Sequence, residues 1–244
     1  MIGTTLPHVV QASPNFNDRR ADISILLLHY TGMRDAAAAC DWLCRVESEV
    51  SCHYLVDADG VITQMVGEDK RAWHAGLSSW AGLEDINSRS IGIEIHNPGH
   101  ALGYPDFPAR QMTGVAALSS DICKRNAILP RHVLAHSDVA PGRKIDPGEK
   151  FEWRALHAQG IGHWVSPEPL SGGTFIQLGD AGDSALALQS LLKFYGYGID
   201  ISGNFDDRTK LVVEAFQRHF RPARVDGVAD VSTIATLHKL LRAL

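Results

Sequence analysis

The hydrophobic residues of this chain follow two different patterns, and the change between them constrains the fold more than any other feature. Before residue 166, short runs of branched and aromatic residues recur between turn signals, as buried strands require. These runs alternate with two segments of helical spacing, which predicts an α/β domain with a mixed central β-sheet flanked by helices. The predicted strands are residues 23–28, 54–56, 61–66, 91–95 and 132–135, and the predicted helices are residues 35–48 and 108–126.

After a stretch rich in proline and glycine, the pattern becomes helical throughout. Residues 166–173 read Ser-Pro-Glu-Pro-Leu-Ser-Gly-Gly, a composition typical of a linker. Beyond it, leucine, valine and phenylalanine recur at helical spacing in residues 184–195, 209–220 and 233–244. Asp206 and Asp230 each precede a threonine by three residues, which suits a helix N-cap. We therefore predict that a small all-α three-helix domain follows the sheet, of a size that folds alone but marginally.

The composition argues against several classes of protein. The chain has 244 residues, of which 45% are hydrophobic, as in ordinary folded domains. Its formal net charge of -5 gives no basic surplus for binding nucleic acid. No apolar run approaches the ~20 residues of a membrane-spanning helix, so no transmembrane segment is predicted. We expect the protein to be a monomer. The first residues lack the basic start and apolar core of a signal peptide, so a cytoplasmic location is favoured, or a periplasmic or envelope location if the chain is a processed form.

All four cysteines lie in the first part of the chain: Cys40, Cys44, Cys52 and Cys123. None of them forms a Cys-x-x-Cys pair, so buried free thiols in a reducing compartment are the favoured interpretation. A zinc site made of cysteine and histidine is the weaker alternative.

A rigid, polar loop at residues 136–148 carries the clearest signal for chemistry. Its two Pro-Gly pairs forbid a regular helix or a central strand. His136 and Asp146 in this loop are residue types that bind zinc through nitrogen and oxygen. His29, at the end of the first predicted strand, is the best candidate for a third ligand, because strand ends are held by the sheet and open to a cleft. A lone histidine at such a position is otherwise structural, but three ligands with one open position are the arrangement of a catalytic zinc site.

Five segments in order along the chain carry recognisable motifs. They are residues 26–32 (Leu-Leu-Leu-His-Tyr-Thr-Gly), 51–60 (Ser-Cys-His-Tyr-Leu-Val-Asp-Ala-Asp-Gly), 71–76 (Arg-Ala-Trp-His-Ala-Gly), 90–95 (Ser-Ile-Gly-Ile-Glu-Ile) and the loop 136–148. Together they resemble the zinc-dependent N-acetylmuramoyl-L-alanine amidases of bacteria, and five ordered blocks are more specific than any single motif. The chain from residue 175 onward resembles the small helical peptidoglycan-binding module often attached to these enzymes.

The resemblance implies an enzyme with one Zn²⁺ ion per chain, held by His29, His136 and Asp146, with a fourth position left for water. The implied reaction is hydrolysis of the amide bond between N-acetylmuramic acid and L-alanine, with peptidoglycan or a muropeptide as substrate. Two alternatives stay open. A peptidoglycan-recognition protein has the same fold and binds muropeptides without cutting them, and a zinc peptidase would cut the stem peptide instead.

The resemblance also divides the chain into three parts. They are a zinc amidase catalytic domain (residues 1–165), a linker (residues 166–175) and a helical peptidoglycan-binding-like domain (residues 176–244). The helical domain either binds the wall or is a structural appendage. We expect its deletion to spare hydrolysis of small muropeptides and to weaken binding to the sacculus.

Two further residues are predicted to be catalytic. Glu94 lies in an otherwise apolar strand, where a carboxylate is costly unless it is used or paired. The resemblance assigns it general acid/base catalysis, with a buried arginine or lysine partner as the alternative. Lys144 lies two residues before Asp146, so an extended backbone places both side chains on one side. The resemblance implies that Lys144 faces the oxyanion. The same alternation of side chains turns Arg143 to the other side, where a surface or fold contact is expected.

Substrate contacts are predicted at four positions near these residues: Tyr30, Trp73, His74 and Asn97. An indole in a loop beside a cleft suits stacking on a sugar, although a core tryptophan is nearly as good an interpretation. His74 is expected to hydrogen-bond the substrate. His53 and His132 are interpreted as structural.

Overall fold

A mixed sheet of six strands forms the centre of the first part in the computed structural model, which describes residues 1–244. The strands in chain order are β1 (Val9–Val10), β2 (Phe16–Asp18), β3 (Ile25–Tyr30), β4 (Tyr54–Val56), β5 (Ile62–Gln64), β6 (Lys70–Ala72), β7 (Ser90–Ile95) and β8 (Val133–Ala135). The order across the sheet is β1-β5-β4-β7-β3-β8, and only β4 and β5 pair antiparallel. Strands β2 and β6 form a separate antiparallel pair. The predicted mixed sheet and its hairpin are confirmed.

Five of the eight helices lie close to predicted positions, whereas three short helices were not predicted. The helices are α1 (Ala36–Leu43), α2 (Ile86–Arg89), α3 (Ala109–Arg125), α4 (His136–Val139), α5 (Trp153–His157), α6 (Asp183–Tyr195), α7 (Asp207–Phe220) and α8 (Val231–Arg242). The three that were not predicted are α2, α4 and α5. Helix α1 is shorter than predicted because the backbone becomes extended at Arg45. Helix α4 is a single turn that ends before Pro141, so the loop begins with helical structure that the sequence did not predict.

Side-chain caps fix the starts of three helices. The Asp35 carboxylate accepts a hydrogen bond from the Ala38 amide at 2.8 Å. In the helical part, Asp206 accepts from the Thr209 amide at 2.8 Å, and Asp230 accepts from the Thr233 amide at 2.7 Å. Each cap satisfies an amide that has no partner inside the helix, and the N-caps predicted at Asp206 and Asp230 are confirmed.

Strand β3 sends alternate side chains to two different cores. Leu26 and Leu28 pack on the face covered by α3, together with the isoleucines of β7. Ile25 and Leu27 pack on the opposite face, in one cluster with residues of α6, α7 and α8. The apolar run of β3 is therefore buried on both sides, and the helical part forms the layer over one side.

The helical part and the sheet bury residues in one continuous hydrophobic cluster, and most members of that cluster belong to the helical part. The largest hydrophobic cluster takes residues from both parts, among them Leu27, Trp80, Leu134, Val139, Leu188, Tyr197, Phe216 and Phe220. Trp80 is the bulkiest buried side chain in this cluster, and its ring packs edge-on against Tyr197 at 5.0 Å between centroids. Because the cluster continues across both parts, deletion of the helical part would expose apolar residues of the sheet, which argues against our expectation that the deletion spares hydrolysis.

The segment between the two parts has neither helix nor strand, as a linker should. It is nevertheless anchored to α8, because the Glu168 amide donates to the Thr236 hydroxyl at 3.0 Å and the Ser232 hydroxyl donates to the Glu168 carbonyl at 2.6 Å. The domain boundaries themselves stay a prediction. None of the helices combines the length and apolar character required to cross a bilayer.

The cysteines are all unpaired, as expected. Cys40 and Cys52 are buried, and Cys44 and Cys123 are partly buried. No cysteine belongs to a group of side chains that could hold a metal ion, which leaves the cysteine–histidine zinc site without support.

Candidate metal centre

Three predicted ligands meet at the carboxyl end of β3. His29 lies on β3, His136 begins α4 directly after β8, and Asp146 lies in the loop that follows. Because β3 and β8 are parallel neighbours, their carboxyl ends place the two histidines side by side. His29 Nδ1 lies 2.9 Å from His136 Nδ1, and Asp146 Oδ2 lies 3.1 Å and 3.0 Å from these two nitrogens. All three residues are buried, and together they form the one group in the chain that could hold a metal ion.

Hydrogen bonds determine which nitrogen of His136 is free. Its Nε2 lies 3.1 Å from the Ala75 carbonyl oxygen, which can only accept. Arg143 Nη2 lies 3.4 Å from the same nitrogen, but the carbonyl is nearer and is also bonded by this guanidinium, so neutral His136 carries its proton on Nε2 and Nδ1 keeps its lone pair.

A second chain of hydrogen bonds does the same for His29. The Ser90 hydroxyl donates to the Ile86 carbonyl at 2.6 Å, so it accepts from His74 Nε2 at 3.4 Å. His74 Nδ1 is then an acceptor, and His29 Nε2 donates to it at 3.0 Å. His29 Nδ1 is consequently also unprotonated.

The geometry fits a tetrahedral metal ion. Two nitrogen lone pairs and a carboxylate oxygen repel one another at 3 Å unless a cation lies between them. Each histidine donates its other ring N–H to a neighbouring acceptor, as metal-ligating histidines do, and so directs its free nitrogen to that position. Ligands that bind zinc at ~2.0–2.2 Å lie roughly 3.3 Å from each other, close to the spacing observed. The donor set of two imidazoles and one carboxylate leaves a fourth position open, as catalytic sites do.

The protonation states of the ligands also suit a divalent cation. Burial and the neighbouring His136 lower the pKa of His29 to about 4, so its ring is neutral near pH 7. Burial opposes the charge of Asp146, and the pKa of this carboxyl falls below the usual range when the facing imidazoles carry a proton that it can accept as a hydrogen bond. Neutral imidazoles and an ionised carboxylate are the forms that bind metal.

Glu94 approaches this centre from the adjacent strand. It lies on β7 directly beside His29 in the parallel register, while Ile93 and Ile95 point to the opposite face. Its side chain lines the cavity, and Oε2 is buried without a hydrogen-bond partner. Burial and the charge of Asp146 raise the pKa of Glu94 well above its usual value. The alternative of a buried basic partner is not supported, because Glu94 makes no salt bridge.

Both basic residues of the loop line the cavity, but their contacts differ. Lys144 lines the cavity and is close enough for its charge to oppose the rise in the pKa of Glu94. Arg143 donates to the Leu77 carbonyl at 2.8 Å and also to the Ala75 carbonyl. Arg143 thus ties the loop to the segment that fixes His136, which is the predicted fold contact. Its side chain nevertheless lines the cavity, so the prediction that it points away was wrong.

A cavity of about 500 Å³ opens beside the ligands and brings together most of the predicted site residues. The ones that line it are Tyr30, Trp73, His74, Glu94, His136, Lys144 and Asp146. Apolar residues of α1 and its flanking segments complete the wall, among them Met33, Trp42, Leu43 and Val50. These apolar residues were missed because nothing in a helix sequence says which neighbour its face will meet.

Two predicted substrate contacts have other partners in the structure. His74 is buried and bonds His29, so it orients a ligand. Asn97 does not line the cavity, and it is buried with its amide donating to the Pro105 carbonyl at 2.8 Å. Its side-chain oxygen accepts from the Gly99 amide at 2.9 Å, so Asn97 braces a loop.

Gly92 was a sequence signal for the His74 contact. A Cβ atom at Gly92 would lie 2.6 Å from the imidazole ring of His74, so only glycine lets this ring reach His29. A glycine inside a strand often marks such a close approach. His53 and His132 make only internal contacts, including a 3.0 Å bond from the Gly92 amide to His53.

Comparison with known proteins gives matches for both parts of the chain. A model of the N-acetylmuramoyl-L-alanine amidase family matches residues 19–149, and a model of a peptidoglycan binding domain matches residues 181–237. The chain is 37% identical to the N-acetylmuramoyl-L-alanine amidase AmiD of Escherichia coli over 233 residues, 90% of this chain and 82% of that protein. It is 41% identical to the 1,6-anhydro-N-acetylmuramyl-L-alanine amidase AmpD of Citrobacter freundii over 109 residues, 45% of this chain and 56% of AmpD.

Solved structures resemble the whole chain. AmiD of E. coli in complex with anhydro-N-acetylmuramic acid-L-Ala-D-gamma-Glu-L-Lys superimposes with a TM-score of 0.77 at 36% identity, covering 93% of this chain and 92% of that one. AmpDH3 of Pseudomonas aeruginosa in complex with anhydromuramic pentapeptide gives a TM-score of 0.75 at 30% identity, covering 100% and 98%. The predicted fold is confirmed over both parts.

Proposed function

Since this chain belongs to the N-acetylmuramoyl-L-alanine amidase family and hydrolyses the bond between N-acetylmuramic acid and L-alanine, we propose that it does so with one zinc ion held by His29, His136 and Asp146. The observation that carries the proposal is the convergence of three buried, unprotonated ligand atoms about 3 Å apart. When bound, zinc supplies a Lewis acid that polarises the amide carbonyl and acidifies water.

In this proposal, Glu94 moves the proton. It accepts the proton of the water molecule whose oxygen bonds to the lactyl carbonyl carbon, and it returns that proton to the L-alanine nitrogen as the C–N bond breaks. The products are a lactyl carboxylate on the sugar and a stem peptide with a free amino terminus. The free Oε2 and the raised pKa of Glu94 support this role, because a base works best when its pKa lies near the working pH.

The other residues of the cavity position the substrate or its charge. Lys144 faces the developing oxyanion, which a fixed positive charge stabilises in a site that excludes water. Tyr30 and Trp73 present aromatic rings to the cavity, where they contact the sugar or the peptide. The role of His74 is to orient His29, and the helical part adds contact with the wall, as its family match supports.

The test is mass spectrometry of a defined, soluble muropeptide incubated with the full chain. We expect release of an intact stem peptide that begins with free L-alanine, lost with a chelator and restored by zinc. Unchanged muropeptide with zinc bound would instead indicate a recognition protein, and cleavage within the stem would indicate a peptidase.

The variant Glu94→Gln distinguishes a role of Glu94 as the catalytic base from a role in binding the metal ion. We expect this variant to keep zinc and to lose about 10²–10⁴-fold in turnover. Glu149→Gln is the matched control, since it neutralises a half-exposed carboxylate that pairs with His100 at 3.2 Å outside the cavity. Loss of zinc from Glu94→Gln would refute the base role.

A further inference from the structure

The carboxylate of Asp138 connects the metal site to the helical part. Asp138 lies in α4, two residues after His136, and is completely buried. Its oxygens accept three hydrogen bonds: from the Ala135 amide at 2.8 Å, from the Tyr197 hydroxyl at 2.7 Å and from His219 Nδ1 at 2.7 Å. A buried carboxylate is costly unless such donors satisfy it, and two of its three donors belong to the helical part.

Both donors are held rigidly. Tyr197 follows α6, and its ring is wedged against Trp80 in the shared core. His219 lies in the last turn of α7, stacked on Trp153 at 3.7 Å and on Phe220 at 3.8 Å between ring centroids. Neither ring can turn away from Asp138 without disturbing packed aromatic neighbours.

A second set of contacts holds the loop after α4. Arg208 of α7 donates to the Pro141 carbonyl at 3.0 Å. Leu211 packs so closely on Gly142 that a Cβ atom there would lie 2.6 Å from its methyl carbon, and Gly142 has a φ of +82°. Helix α7 therefore contacts the segment between the ligands His136 and Asp146 at several points.

The position of this segment decides whether the ligands converge. The His136 ring is tied to Ala75 at one nitrogen, but the backbone that carries the ring is tied through Asp138. The Ser137 amide also donates to the Asp146 carbonyl at 3.0 Å, so a shift of α4 moves two ligands together. Displacements of about 1 Å in such a site can cost about 10²-fold in rate.

We propose that Tyr197 and His219 are positioning residues of the amidase, which hold His136 in place for metal binding through the Asp138 carboxylate. The proposal rests on the proposed zinc site and extends it into the helical part. A module expected to contact the wall is then also required for the chemistry on small, soluble substrates.

The test compares conservative variants in the full chain. Tyr197→Phe removes one hydroxyl, and His219→Phe keeps a stacking ring but removes the donor. His219→Asn keeps a donor near the position of Nδ1 and should restore part of the loss. Tyr195→Phe is the matched control, because its buried hydroxyl bonds His163 at 2.9 Å and does not touch Asp138.

The readouts are the zinc dissociation constant, from competition with a chelator, and kcat and KM on a soluble muropeptide. They are taken at a temperature where melting curves show every variant folded. We expect Tyr197→Phe and His219→Phe each to weaken zinc binding about tenfold and to lower kcat to a similar extent, with KM within about twofold. The zinc dissociation constant and the kcat of Tyr195→Phe should stay within about twofold of the wild-type values.

Three outcomes would overturn the proposal. One is unchanged zinc affinity and kcat in folded Tyr197→Phe and His219→Phe with only a lower melting temperature, which is what a purely structural contact gives. Another is an equal loss in Tyr195→Phe, and the third is no recovery in His219→Asn. If the wild-type chain does not cut the muropeptide, the proposed function fails, whereas the zinc affinities still decide the positioning role.

Discussion

The two faces of the central sheet are covered by different parts of the chain, yet they are buried alike. Helix α3 covers one face, where Leu28 is fully buried. The helical part covers the other, where Leu27 is fully buried as well. A division into amidase and helical parts therefore does not coincide with a division into physically separate units, because the second part supplies the layer that covers one face of the sheet.

The largest effect should come from removing that layer. A chain ending at residue 165 exposes the apolar face around Leu27 and Trp80 and loses two donors to Asp138. We expect aggregation or loss of cooperative unfolding, and no hydrolysis of soluble muropeptides. A truncated chain that is folded and as active as the full one would show that the helical part is separable.

Cutting the linker without removing the helices is the matched control. Residues 169–175 are mostly exposed, so a protease site inserted there can be cleaved in the folded protein. We expect the nicked parts to elute together on gel filtration and to keep their activity, because the shared core holds them. Dissociation of the two fragments would contradict the shared-layer account.

Matched truncations on β3 compare the two faces directly. Leu27→Ala and Leu28→Ala each remove the same atoms from a fully buried site, so each should lower the free energy of unfolding by about 2–5 kcal/mol. Denaturant melts followed by circular dichroism measure both. If Leu27→Ala lowers the free energy of unfolding several-fold less than Leu28→Ala does, the helical layer packs only loosely on the sheet.

Metal removal should destabilise both parts together. Zinc at a hundred times its dissociation constant stabilises the folded chain by about 2.7 kcal/mol if the ion binds only the folded state. We therefore expect a chelator to lower the melting temperature of the sheet and of α6–α8 equally in a single transition. A chelator that lowers the melting temperature of the sheet but not that of α6–α8 would show that the two parts unfold independently.

The smallest effect should come from the helix caps. Asp35→Ala and Asp206→Ala each remove an N-cap, one in each part, and each should cost about 1 kcal/mol. Both should lower the melting temperature of the single transition. Two unfolding transitions, each shifted by only one of the two substitutions, would show that the two parts unfold independently.

The Asp206 cap also predicts a pH dependence. Hydrogen bonds from the Thr209 amide and hydroxyl lower the pKa of Asp206 below its ordinary value. A carboxylate with a lowered pKa stabilises the folded chain above the ordinary pKa near about 4, and this contribution is lost as the pH falls through the lowered value. The stability difference between wild type and Asp206→Ala should therefore narrow in acid, and a difference that stays constant with pH would contradict this.

The sequence was sufficient for the longer elements and for the residues of the candidate metal site. Periodicity identified five of the eight strands and the three C-terminal helices, but not the short strands β1, β2 and β6, and the motifs pointed to His29, His136 and Asp146, which the structure brings together. The apolar run of β3 indicated burial on both faces, but no pattern in it says which helix covers which face.

Contacts between distant segments could not be predicted in the same way. Asp138 has the appearance of a surface loop residue in the sequence, and its partners lie beyond the linker at Tyr197 and His219. His74 lines the cavity, but its bond to His29 depends on the packing permitted by Gly92 and was not predicted. Such roles follow from tertiary packing, which local propensity does not encode.

Native-state hydrogen exchange of the full chain tests the shared layer most directly. Because β3 and α7 bury one core, we expect their slowest amides to exchange with the same free energy of opening. That free energy should equal the free energy of global unfolding. Amides of α7 that exchange at a clearly lower free energy than those of β3, while the sheet stays protected, would contradict it.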